Sequence, residues 1–175
     1  MILRAVRGRL RLVAGLVAAG LLAGASPAAA GMHVRDGLVF TSSDGTRAAF
    51  PPDVRVWCGR WDSDVPVRSI HVWVGSRPQA HWELHAVVAD VRRHRVVRLP
   101  NAFVFDHPRG ALLFATDRGN EVNSDTEEST GQIRFGRVRC GRRLRVSFRV
   151  RGSLGSELSD GATVAVRGSF LASKT

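Results

Sequence analysis

The sequence predicts an all-β fold: an immunoglobulin-like antiparallel β-sandwich, preceded by an N-terminal signal peptide and closed by one disulfide. Three observations predict it. From residue 37 onward apolar and polar residues alternate with period two, and no 3.6-residue apolar stripe accompanies them. Short segments rich in Gly, Pro, Ser and Asp separate the alternating runs. The two cysteines, Cys58 and Cys140, stand far apart with no CxxC beside either, a pattern that suits a structural bridge in an exported chain better than a metal site.

The first residues carry Arg4, Arg7, Arg9 and Arg11 without an acidic residue, then run apolar from Leu12 to about Ala25 and end on Ser26-Pro27-Ala28-Ala29-Ala30. This order of basic, apolar and small residues is that of a secretory signal, and the apolar stretch falls short of the roughly 20 residues a membrane-spanning helix needs. Residues 1–30 are therefore expected to be removed before Gly31. That leaves 31–175 as one domain, secreted or extracytoplasmic, with no transmembrane segment. The leader holds four of the 26 basic residues, so 22 remain against 15 acidic ones and the mature net charge is +7. Lys174 is the sole lysine and tyrosine is absent, a usage that fits arginine-favouring codons.

Strands are expected at 37–41, 54–58, 69–75, 80–91, 96–99, 111–116, 132–140, 143–153 and 163–172. The clearest places Leu144, Val146, Phe148 and Val150 on a core face and Arg143, Arg145, Arg149 and Arg151 on the other. Before it Ile133 and Phe135 share one parity while Val138 and Cys140 share the other, so a bulge at Gly136 is expected, followed by a hairpin turn at Cys140-Gly141-Arg142. A Cys58–Cys140 bridge closes a long loop and is worth roughly 4 kcal/mol in the chain-entropy account. Trp73 lies on the parity opposite Ile70, Val72 and Val74, and Val138 stands where a tyrosine corner would be, so the immunoglobulin likeness is one of architecture only.

The run Gly119-Asn120-Glu121, Ser129-Thr130-Gly131, the alternating strand to Cys140, then Leu154-Gly155-Ser156-Glu157, Asp160-Gly161 and Val166-Arg167-Gly168-Ser169-Phe170 resembles small secreted actinobacterial β-sandwich proteins of uncharacterised function. The resemblance covers about the last third of the chain and implies no activity.

Three constellations are candidates for function. Arg134, Arg137, Arg139, Arg143, Arg145, Arg149 and Arg151 should face outward on one hairpin, where seven guanidinium groups repel one another and an anionic partner would relieve the cost. An envelope polymer, a lipid headgroup or an acidic protein would serve; the aromatic interleaving of single-strand nucleic-acid platforms is missing. The alternative is a solvated face paired with Glu121, Asp125, Glu127 and Glu128. Second, His81, Glu83 and His85 share one strand face, with His71 on the neighbouring strand, and could hold Zn²⁺ in a carrier or hydrolase. The outer two would span roughly 13 Å, so only an adjacent pair plus His71 could share an ion, and a solvated polar face is the plainer expectation. Third, the acidic stretch 120–128 offers oxygens for Ca²⁺ but lacks an EF-hand's spacing, and is expected to be an exposed loop. Trp57 and Trp73 fall on the non-core parity, where the loop at 100–110 is expected to cover them.

No GxSxG elbow, phosphate-cradling loop or dinucleotide fingerprint is present. The expectation is a non-enzymatic binding module without a cofactor, contacting an anionic partner through the arginine face, with a metal-binding or purely structural envelope protein as the alternatives.

Overall fold

A computed structural model describes residues 32–50, 53–61, 64–77, 79–156 and 162–174. The expected leader at 1–30, and Glu157 and Asp160-Gly161 of the resembling run, lie outside the described residues. The elements run β1 (Met32–Asp36), β2 (Val39–Thr41), β3 (Arg47–Ala48), β4 (Val54–Arg60), β5 (Arg68–Ser76), β6 (Ala80–Val87), α1 (Val88–Arg93), β7 (Val96–Leu99), β8 (Ala111–Asp117), β9 (Asn120–Asn123), β10 (Thr130–Arg139), β11 (Arg145–Ser156) and β12 (Thr163–Lys174).

Every pairing is antiparallel, and the ladder is continuous in the order β3-β2-β12-β11-β9-β8-β6-β5-β4. β1 adds to β12, and β10 adds to β11 and carries β7. The result is one mostly antiparallel sheet curled into a half-barrel. Two long strands make the curl. β11 pairs with β10 along most of its length and with β9 at its end, while β12 passes from β1 to β2. Glycines sit at both changes of partner. A Cβ on Gly152 would stand 2.0 Å from the Thr130 carbonyl oxygen, and one on Gly168, at φ +144°, 2.1 Å from that of Gly37.

The inward faces meet in one main core, and a second, small cluster of Val87, Phe103 and Leu112 packs with Trp61 and Val67. Trp82 of β6 is fully buried and meets Phe148 and Phe170 edge-on, with ring centroids 6.1 and 5.5 Å away. Ile70, Val72, Val74 and Leu84 from one half and Ile133, Phe135, Val146 and Val150 from the other complete it. The Cys58–Cys140 disulfide joins β4 to the end of β10 across this core, with Cα atoms 5.7 Å apart.

The expected strands at 54–58, 69–75, 96–99, 111–116, 132–140, 143–153 and 163–172 are all present within a few residues of their bounds. The bulge is present too: the β10–β11 register shifts between Phe135 and Val138, where the Arg137 N–H donates to Ser147 Oγ at 3.0 Å. The expected strand at 80–91 is corrected, because it ends at Val87 and α1 follows. Val88 and Val91, three apart, bury one side of that turn, and Asp90 accepts the Gly110 N–H. The acidic stretch is corrected as well, since Asn120–Asn123 is a strand between β8 and β11. Its neighbours turn their oxygens onto the backbone: Asn123 Oδ1 accepts the Asp125 and Thr126 N–H groups, and Ser124 Oγ that of Leu113.

Candidate functional site

Outward from the core the two halves present different faces. On the β10–β11 hairpin Arg134, Arg137, Arg139, Arg145, Arg149 and Arg151 are all exposed, as is Arg143 in the connecting turn. Register sets like charges directly opposite: Arg134 faces Arg149, and Arg139 faces Arg145. At that spacing, about 5 Å between Cβ atoms, like charges destabilise a sheet.

Three further arginines join this face from distant parts of the chain. Arg167 of β12 opposes Arg151, Arg98 of β7 opposes Gln132, and Arg35 of β1 opposes the outward Leu171. Only the alternation of Arg167 with buried Val166 hinted at this; Arg35 and Arg98 lie on short strands whose partners, Leu171 and Gln132, are far away in sequence. Between Arg35, Arg134, Arg145 and Arg149 lies an open groove of ≈ 480 Å³ with Ser147 and Ser169 on its floor. Among the described side chains none of these arginines has a carboxylate within ion-pair distance. The alternative of pairing with Glu121, Asp125, Glu127 and Glu128 is not found among the described side chains: that segment lies beside β8 and the far end of β11, and Asp125 accepts the Phe103 N–H instead.

The other face gathers all four residues of the histidine constellation. β5–β6 register puts His71 opposite His85, and their Nδ1 atoms are 2.9 Å apart, one donating to the other. His85 Nε2 lies 3.1 Å from Glu83 Oε2, and His81 Nε2 3.6 Å from Glu83 Oε1. Arg77 closes the chain with an ion pair to Glu83. The expectation of a solvated face is corrected, since His71, His81 and Glu83 are only 5, 6 and 9 % exposed.

Their cover is aromatic. His71 stacks between Trp57, at 4.9 Å, and Trp61, at 6.0 Å. Trp61 meets His85 edge-on at 5.0 Å and is held by Phe103 and Phe105 of the 100–110 loop. The loop therefore covers Trp61 and not Trp57, which stays 46 % exposed.

Burial, reinforced by the His85 charge, pushes the His71 pKa down to about 4. Burial likewise lowers that of His81. For Glu83 burial is the largest single influence and acts upward, but the His85 hydrogen bond and the charges of His85, Arg77 and His81 together outweigh it and hold the carboxyl below its ordinary value. The Nδ1 atoms of His71 and His85 point at one another and His85 Nε2 at Glu83, and among the described residues no three His, Cys, Asp or Glu side chains are arranged to hold a metal ion. No helix among those residues is long and apolar enough to cross a membrane.

Fold and faces together define a disulfide-bonded, antiparallel β protein with one cationic and one aromatic face. Compared with known family models, curated proteins and solved structures, the chain matches none.

Proposed function

We propose that this protein is an exported, non-enzymatic binding module that holds an anionic polymer of the cell envelope on its arginine face. The observation that carries the reading is the bare cross-strand arginine pairs, Arg134 with Arg149 and Arg139 with Arg145, with no carboxylate nearby among the described side chains. A row of phosphates or carboxylates would turn their repulsion into charge-assisted hydrogen bonds. The basic leader sequence and the disulfide support export. The curled sheet is taken in this reading as an immunoglobulin-like sandwich whose layers are the two halves bridged by Cys58–Cys140.

The test is calorimetric binding of inorganic polyphosphate and of anionic phospholipid vesicles over a series of salt concentrations. Affinity for the polymer should fall steeply as salt rises, by a log–log slope of about −0.7 for each phosphate neutralised on a flexible strand. Arg145→Glu with Arg149→Glu should abolish binding and leave the fold intact. Binding that is insensitive to salt, or unchanged in the double variant, overturns the reading, and a preference for vesicles over polymer moves the partner to a lipid surface.

A further inference from the structure

A second groove, of ≈ 590 Å³, crosses the outer face of β4, β5 and β6 and is lined by Asp53, Arg55, Trp57, Trp73, Arg77 and Glu83 among others. Its chemistry differs from that of the arginine face. Two carboxylates and two guanidinium groups balance each other: Asp53 pairs with Arg55 at 3.4 Å, and Glu83 pairs with Arg77. Arg55 also lies over the Trp73 ring, 5.0 Å from its centroid. A guanidinium has five N–H donors and a carboxylate two oxygens, so Arg55, Arg77 and Asp53 can still donate to and accept from a further molecule, whereas Glu83, already shared by Arg77 and His85, serves to fix the Arg77 guanidinium.

Trp57 is the flat element of the groove. Its indole is stacked 8° from parallel on His71, and His71 lies 11° from parallel to Trp61 behind it. One face of the ring is thus backed by a fixed aromatic stack, while its 46 % exposure leaves the other side to solvent. A large apolar ring held rigid at the surface beside unsaturated hydrogen-bonding groups marks a binding site, because binding it costs little conformational entropy.

The ligand class follows by exclusion. An aliphatic chain would strip water from the Asp53, Arg55 and Arg77 charges and return no hydrogen bonds. A phosphate would be repelled by the carboxylate beside each guanidinium, and a cation by the guanidinium beside each carboxylate. An uncharged sugar ring fits: its C–H face packs on an indole, and its vicinal hydroxyls both donate and accept at paired guanidinium and carboxylate groups.

We propose that this groove is a carbohydrate site that takes a pyranose residue of an uncharged polysaccharide, with Trp57 as its stacking platform and Asp53, Arg55 and Arg77 as its hydroxyl ligands. The site is independent of the arginine face and of the reading given for it.

The experiment titrates the purified, oxidised protein with uncharged oligosaccharides of glucose, mannose and N-acetylglucosamine in molar salt, which screens the arginine face. Calorimetry and tryptophan emission report binding, since Trp57 and Trp73 line the groove and Trp61 backs it. At least one oligosaccharide should bind saturably. Trp57→Ala should weaken it about tenfold, and Asp53→Asn by a smaller factor, both with unchanged Tm. The Arg145→Glu, Arg149→Glu protein should bind the sugar as the parent does. Failure of all three sugars, or an affinity indifferent to Trp57, overturns the proposal. Tighter, Trp57-dependent binding of a nucleoside than of any sugar would overturn it in favour of a base-stacking site.

Discussion

The arginine face and the aromatic face are built on the same plan and end in opposite states. Each is the outward parity of a pair of long antiparallel strands, and each carries charged or titratable side chains at alternate positions. On β10 and β11 those side chains stand in water with like charges opposed. On β5 and β6 the histidines are packed against Trp57, Trp61 and Trp73, desolvated, and tied to one another through Glu83. Alternation decides which way a side chain points; whether it meets water depends on what lies above it. A charge removed from the first face relieves repulsion, whereas a charge removed from the second orphans its partners.

The contrast can be tested by pH. His71, neutral in the fold with a pKa of about 4 against 6.5 when unfolded, makes the unfolded chain the better proton binder between those values. Stability should therefore be complete above pH 6.5 and fall by about 3 kcal/mol as the pH drops to 4. Urea unfolding at both pH values checks this, and His71→Asn should remove most of the difference. Equal pH sensitivity in that variant would place the titration elsewhere.

A smaller loss, about 2 kcal/mol, is expected for Glu83→Gln, which leaves the buried ends of the Arg77 and His85 contacts with a neutral, singly accepting partner. Unfolding at neutral pH measures it. The smallest effect has the opposite sign: Arg134→Gln should stabilise by about 0.5 kcal/mol in low salt, because it removes one half of the Arg134–Arg149 pair. The gain should vanish as salt is added. Destabilisation by Arg134→Gln at low salt would mean that the arginines of this face are held by partners after all, and the contrast between the faces would fail.

Local signals made much of this legible. The hairpin register, the bulge at Gly136 and the outward arginines follow from alternation within twenty-odd residues of chain, and the His81-Trp82-Glu83-Leu84-His85 strand was legible for the same reason. The roof over the histidines was not, because Trp61 and Phe103 come from connections separated in sequence from the strands they cover and obey no period. Nor was α1, whose single turn needs only Val88 and Val91 to face inward, a spacing also available to a strand end. β9 was hidden by polar residues that make most of their hydrogen bonds to backbone, where composition suggested solvent. The joining of the halves was invisible for another reason: alternation records which side of a strand is buried and is silent on a strand that changes partner midway.

That change of partner makes the sheet's own join a narrow one. β11 serves the arginine hairpin along most of its length and meets the histidine half only at Gly155–Asn123 and Ser156–Val122, so what keeps one half from opening while the other stays shut is the shared core and the Cys58–Cys140 bridge. Amide protons of Val72 and Val150, on opposite halves, should then be released to solvent by the same rare global event, and a ligand seated on either face would slow exchange on both.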